Sequence, residues 1–380
     1  MRDFIEMVSG FRQNSHNYLL QEMARQQVRC GFFFAGTDSA EGKDLAGQLC
    51  SAGVDISAIY VLDTAIWQDI AMDIPVLDLT AIEGNPLQLG EIVMRVTGWH
   101  TAFYEYFRRQ GIPSMVLMDT TVAETIENMV NEHLPELYDT YSLLKDEESR
   151  RVFRHTLTAC ISGRVSDYRF APEAQYFLEG FTPEKGSIAI DGGAFDGGTA
   201  SDFSAMGADV YAFEMDKANY QQCLDLAAKY GFMIENMGLG DCEREEHYQS
   251  AGVGSRRNCQ GTETARFIDL DTYTLKMGLP RIDYIKLDVE GAELSVLKGA
   301  ARSIGKWKPK LAISAYHNFE DMWTLAAYIH SIRPDYELAF RHYRIDVHNY
   351  WLGAQEKNML RKYGLDYFIP GSFETVLYCR

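Results

Sequence analysis

Ser187-Ile188-Ala189-Ile190-Asp191-Gly192-Gly193-Ala194-Phe195-Asp196-Gly197-Gly198-Thr199 reads as a buried strand, a glycine-rich turn and the start of a helix. A turn of this kind brings a ligand close to the backbone and aims helix N–H groups at an anionic part of it. Two ligand classes compete for it. A dinucleotide site asks for G-x-G-x-x-G, whose middle glycine lets a pyrophosphate touch the chain. Read from Gly192 the middle position is Ala194, and read from Gly193 it is Phe195, so the pyrophosphate reading is weakened in either register. The pattern that is met is D-x-G-x-x-x-G, through Asp191, Gly193 and Gly197.

The next strands extend the pattern. Val210-Tyr211-Ala212-Phe213-Glu214 is a second strand ending in an acid, at the spacing of a carboxylate that grips ribose hydroxyls. A third strand runs into Gly238-Leu239-Gly240-Asp241 and sets Asp241 where the adenine of a nucleoside would lie. The D-x-G-x-x-x-G turn is that of the S-adenosylmethionine (SAM) methyltransferases. That ligand carries an ammonium, a carboxylate and a sulfonium but no phosphate, so Asp191 can face its cationic end while the helix N-terminus receives its carboxylate. Gly192, Ala194, Phe195 and Met215 complete the expected cofactor-binding set.

The fourth strand carries the most specific stretch, Asp283-Tyr284-Ile285-Lys286-Leu287-Asp288-Val289-Glu290-Gly291-Ala292-Glu293-Leu294-Ser295-Val296-Leu297-Lys298-Gly299-Ala300. Ligands of open α/β sheets bind beyond the carboxyl ends of the strands, and Lys286, Asp288 and Glu290 cluster at such an end. Ile285-Lys286-Leu287-Asp288-Val289-Glu290-Gly291, with Glu293 and Leu297-Lys298-Gly299-Ala300, resembles the signature of the FkbM-type methyltransferases. Gln175-Tyr176-Phe177 is similar to that family's lead-in, as are Arg341-His342-Tyr343 and Glu374-Thr375-Val376-Leu377-Tyr378 to its last strands. The resemblance covers residues from about 164 to 380.

The resemblance implies a class I methyltransferase, a seven-stranded doubly wound sheet whose last strand is antiparallel to the rest. It also implies SAM as cofactor and methyl transfer to a hydroxyl oxygen of a carbohydrate or small natural product. Carried over by position, Asp191, Gly193, Gly197, Glu214 and Asp241 hold SAM, while Asp288 and Glu290 border the methyl-transfer site. Methyl transfer needs in-line alignment of acceptor, carbon and sulfur, and an alcohol also needs its proton removed. Candidates for the base are Asp288, Glu290, His317 and His342, with Lys286 orienting or neutralising Asp288. The expected catalytic set is Asp288, Glu290, Lys286 and His317. A divalent metal on Asp288 and Glu290 is not assigned, because the sequence identifies no further ligands. One departure from the family is the stretch 346–372, with Tyr350, Trp351, Tyr363, Tyr367 and Phe368; it reads either as a lid or acceptor-binding insertion or as an aromatic packing element.

The chain of 380 residues is 46% hydrophobic and 24% charged, which suits two domains. Strand–helix alternation divides it into a smaller Rossmann-like α/β domain at 1–121, a helical connecting segment at 122–180 and the methyltransferase domain at 181–380. Strands are expected at 28–34, 56–62, 75–77 and 112–118, then at 187–191, 209–213, 232–237, 283–287, 311–315, 336–341 and 375–378. The first domain's turn, Phe34-Ala35-Gly36-Thr37-Asp38-Ser39-Ala40-Glu41-Gly42, puts Asp38 where a dinucleotide site needs its middle glycine, although Asp63 stands where a ribose-binding acid could sit. A net charge of −18 repels phosphate backbones and anionic lipid, which excludes nucleic acid and membrane surfaces as natural partners. Seven cysteines without a C-x-x-C pair read as reduced thiols, and the charged first residues lack a signal peptide's apolar stretch, so a soluble cytoplasmic protein is expected. A homo-oligomer is compatible with the sequence. The rival readings are an NAD(P)-dependent oxidoreductase and a non-catalytic nucleotide- or sugar-binding protein that keeps the fold.

Overall fold

The computed structural model describes residues 4, 10, 11, 13, 15–67, 73–95, 100–249, 256–257, 261–347, 361–363 and 369–380. They form two compact units, each drawn from three stretches of chain. The first takes Met1–Leu134, Arg151–Phe170 and Arg344–Phe373; the second takes Pro135–Arg150, Ala171–Tyr343 and Glu374–Arg380.

The first unit holds a five-stranded sheet of β1 (Arg29–Phe34), β2 (Asp55–Val61), β3 (Val76–Asp78), β4 (Glu91–Arg95) and β5 (Ser114–Val116). Its order is β3-β2-β1-β4-β5 and every pairing is parallel. Parallel sheets are covered on both faces, which is why β1 reads as a continuous apolar run. Phe33 packs against Phe103 and Phe107 on one face, and Phe34 stacks edge-on against Trp67 on the other. The sequence reading does not mark β4, where only Ile92-Val93-Met94 stand between Glu91 and Arg95. Of the stretch 346–372, Tyr350, Trp351, Tyr367 and Phe368 lie outside the described residues. Tyr363 is described, and it is a core residue of this unit: its ring lies 6.0 Å from that of Tyr106, and its hydroxyl donates to the Leu62 carbonyl at 3.2 Å.

The second unit is built on β6 (Ile188–Gly192), β7 (Asp209–Phe213) and β8 (Met233–Glu235). A small sheet follows, of β9 (Gly238–Leu239), β10 (Arg244–Gln249), β11 (Arg256–Arg257) and β12 (Glu263–Ile268). The chain then adds β13 (Tyr284–Leu287), β14 (Lys310–Ser314), β15 (Leu338–Val347) and β16 (Ile369–Cys379) to the main sheet. The main sheet has the order β15-β16-β14-β13-β6-β7-β8, parallel from β14 to β8. β16 runs antiparallel to β14, as expected of the last strand. The seven strands anticipated from the sequence are all present. The small sheet is not anticipated, since β10 and β12 are mostly polar; Tyr248, Ala265 and Phe267 form its own small core, against which Met215 packs. The strand order reverses between β6 and β13, and the crevice beyond the carboxyl ends of these strands is where an open α/β sheet takes its ligand. Among the described residues no helix is long and apolar enough to cross a membrane.

Candidate active site

The turn after β6 depends on backbone conformations that glycine adopts at no steric cost. Gly193 has φ +77°, and a Cβ on it would lie 1.8 Å from the Asp288 carbonyl oxygen. Gly197, at φ +84°, caps the helix Gly198–Ala205. Between them Phe195 also has a positive φ, +52°. It is held there from two sides: its N–H donates to Glu214 Oε2 at 2.9 Å, and Cys223 Sγ donates to its carbonyl at 3.0 Å. Glu214, just past β7, receives the Asp216 N–H on Oε1 at 2.7 Å. Burial pushes its carboxyl up to about 7.

Beneath the turn, β13 pairs with β6 so that Lys286 stands beside Asp191. Both side chains are buried, with Lys286 Nζ 2.9 Å from Asp191 Oδ1. Lys286 also donates to the Gly193 carbonyl at 2.7 Å and the Gly192 carbonyl at 3.3 Å. A charge taken out of water persists only when paired and hydrogen-bonded, and this ammonium is both. Burial opposes its charge, but Asp191 and Asp288 outweigh that and raise its pKa. Lys286 therefore clamps the turn from below instead of lining the crevice. Burial raises the Asp191 carboxyl despite the opposing pull of Lys286, and Asp191 Oδ2 has no partner among the described residues.

At the carboxyl end of β13, Asp288 accepts a hydrogen bond from the Tyr176 hydroxyl at 2.8 Å on Oδ2 and from the Tyr316 hydroxyl at 3.0 Å on Oδ1. Ser314 Oγ lies 3.1 Å from the Tyr176 oxygen. Burial would raise the Asp288 carboxyl, but Lys286 and His317 reverse the sign and hold it low. His317 follows β14 and stands among three carboxylates: Nδ1 is 2.9 Å from Glu293 Oε1, and Nε2 is 3.5 Å from Asp288 Oδ1 and 3.8 Å from Glu290 Oε1. Burial pulls its pKa down, but the carboxylates win and push it up to about 11. Glu290 reaches this cluster from a left-handed backbone, φ +54°.

The structure thus brings Asp191, Gly192, Gly193, Ala194, Phe195, Gly197, Glu214, Lys286, Asp288, Glu290 and His317 to neighbouring strand ends of one sheet. Asp241 lies past β9 as an exposed residue paired with Arg244. His342 does not join the cluster: it is buried, bonded to Thr375 Oγ1 at 2.7 Å, and burial pushes its pKa down to about 3. Tyr343 is likewise internal, its hydroxyl 2.7 Å from that of Tyr378. Sequence reasoning missed Tyr176, Tyr316 and Glu293 as site residues. Tyr316 adjoins His317 and Glu293 stands within the signature stretch itself, while Tyr176 is far away in sequence and only the family lead-in points to it. In the first unit, Asp38 accepts the N–H groups of Ala40 and Glu41 and so fills the helix N-terminus a pyrophosphate would need. Asp63 is taken up in a turn, receiving the Ala65 N–H at 2.8 Å.

Residues 191–345 match the family described as the methyltransferase FkbM domain. No curated protein matches the sequence. The crystal structure of a methyltransferase FkbM from Methylobacillus flagellatus KT aligns with 100% of this chain and 98% of its own, with a TM-score of 0.61 at 19% identity. That likeness concerns the fold. A precorrin-6y C5,15-methyltransferase from Geobacter metallireducens GS-15 aligns with 53% of this chain and 82% of its own, at 10% identity and a TM-score of 0.33. A TehB-like SAM-dependent methyltransferase from Corynebacterium glutamicum aligns with 52% of this chain and 81% of its own, at 11% identity and a TM-score of 0.26.

Proposed function

We propose that this chain uses SAM to methylate a hydroxyl oxygen of a carbohydrate or other small polyhydroxylated acceptor, a reading supported by the match of residues 191–345 to the methyltransferase FkbM domain. The observation that carries the reading is the carboxylate-rich end of β13 and β14, where Asp288 is fixed by two phenols and Glu290 stands beside it. Carboxylates are acceptors only, which matches a ligand that presents hydroxyl donors.

The residues present fit SAM. The buried, unpartnered Asp191 Oδ2 is an acceptor awaiting a donor, and an ammonium is the donor that best offsets a desolvated carboxylate. Glu214 uses one lone pair per oxygen on backbone N–H groups, and each oxygen retains another for a ribose hydroxyl. When bound, the cofactor supplies an electrophilic methyl group whose sulfur departs as a neutral thioether. Asp288 orients the acceptor hydroxyl, because Tyr176 and Tyr316 leave its carboxylate no freedom to turn. Glu290, whose oxygens hold no phenol and whose side chain is 31% exposed, takes the hydroxyl proton and returns it to solvent. Lys286 positions the turn and the Asp191 carboxylate. Free thiols at the six described cysteines and the acidic balance fit a cytoplasmic enzyme that acts on small molecules.

Calorimetric titration with S-adenosylhomocysteine (SAH) and with NAD tests the cofactor, and SAH release from SAM over a panel of sugars and alcohols tests the acceptor class. One-to-one SAH binding, no NAD binding and turnover on a hydroxylated acceptor are expected. Glu290→Gln should lower that turnover by about 10²–10⁴-fold, the usual contribution of a positioned base, with SAH affinity kept. Binding of SAH without turnover on any hydroxylated acceptor would remove the hydroxyl assignment.

A further inference from the structure

His317 is surrounded by more negative charge than the chain balances. Among the described residues, Asp191, Asp288, Glu290 and Glu293 form ion pairs at this end of the sheet only with Lys286 and His317. The His317 side chain is 10% exposed; its Nδ1 pairs with Glu293 Oε1 at 2.9 Å, and its Nε2 makes no hydrogen bond among the described residues. Glu293 itself is fully interior, with Oε1 receiving the Val289 N–H at 2.9 Å and Oε2 without a partner. One ligand atom each from Asp288, Glu293 and His317 lie within 4.8 Å of one another.

We infer that this cluster binds a divalent cation that displaces the Nε2 proton of His317 to solvent, with His317 Nε2 and the Asp288 and Glu290 carboxylates as ligands and Glu293 fixing the imidazole through Nδ1. The inference rests on the methyltransferase reading and deepens it at the same site. An ion about 2.1 Å from its ligands keeps adjacent ones roughly 3 Å apart. The Nε2 separations of 3.5 Å from Asp288 and 3.8 Å from Glu290 are within about 1 Å of that. Metal-bound histidines carry a carboxylate or carbonyl on the other ring nitrogen, and Glu293 occupies that place. A mixed set of two carboxylates and one imidazole, open to solvent on one side, suits Mn²⁺ or Mg²⁺ better than a thiol-seeking metal. The left-handed Glu290 backbone has a rationale here: strain of this kind persists where a side chain must be aimed.

The ion gives the acceptor oxygen a Lewis acid. The acceptor O–H bond breaks, and its proton passes to the Glu290 oxygen left off the ion and then to solvent. The oxygen–methyl bond forms as the methyl–sulfur bond breaks, and the sulfur keeps that electron pair as the thioether of SAH.

The test is Mn²⁺ binding to chelator-treated full-length protein, read by electron paramagnetic resonance, with SAH titration of every variant as the control for folding. One Mn²⁺ per chain is expected, displaced by excess Mg²⁺, lost in His317→Gln and weakened about 10–100-fold in Glu293→Gln. No bound Mn²⁺ in the wild type, or equal binding in His317→Gln, overturns the inference. If His317→Gln no longer binds SAH, Glu290→Gln takes its place under the same criterion. Loss of SAH binding by the wild type would instead strike the methyltransferase reading, so the two failures are distinct.

Discussion

Glu214 serves the turn and the cofactor with one carboxylate. Its two oxygens tie down Phe195 and Asp216, and a proton on either would remove an acceptor. Burial sets that protonation at about 7. The charged form, the better acceptor, therefore prevails above that value and is lost as pH falls through it. SAH affinity is expected to fall between about pH 8 and pH 6, and Glu214→Gln should flatten the profile. At the upper pH that variant should bind more weakly by about 1–3 kcal/mol, the cost of orphaning a charge-assisted partner. Calorimetry across that range checks both, and an unchanged slope in the variant would assign the dependence to another group. Single residues also show where sequence stops being legible. Asp191, Glu214 and Asp288 follow from position at strand ends, which topology makes equivalent. The placement of Lys286 under the turn does not, because it depends on the register between β13 and β6, strands about 90 residues apart.

At the level of elements, the turn after β6 is fixed by one close approach. Gly193→Ala would drive a Cβ into the Asp288 carbonyl at 1.8 Å and impose φ +77° on an alanine. Gly278 offers the contrast: its φ is +63°, yet a Cβ added there would meet nothing within 4 Å. Gly278→Ala should cost only the left-handed backbone, about 1–2 kcal/mol. Gly193→Ala should cost about 1–3 kcal/mol more through overpacking and should also abolish SAH binding. Thermal unfolding and titration of the two variants separate these effects, and equal destabilisation would mean that the turn yields. Strands with long apolar runs, such as β1 and β6, announce themselves in the sequence. β4 and the β9–β12 sheet do not, since a short or mostly polar strand is recognised only by its partner.

For the whole molecule, the most informative residue outside the site is Tyr363. It fills the core of the first unit although it lies about 300 residues beyond the Leu62 carbonyl it bonds. Tyr363→Ala should destabilise that unit by about 3 kcal/mol, lowering its melting temperature while SAH affinity is retained. Coupled loss of SAH binding would show that the two units unfold together. The aromatic stretch around Tyr363 read equally well as a lid, because composition alone cannot say which core a distant segment joins. That path through the fold has a consequence for how the protein is made. β16 is late in the chain yet lies between β14 and β15, and the first unit waits for Arg344–Phe373. A ribosome therefore releases most of the polypeptide before the main sheet of the second unit can close. Until Glu374–Arg380 arrives, β14 presents an open edge on which another nascent copy could template.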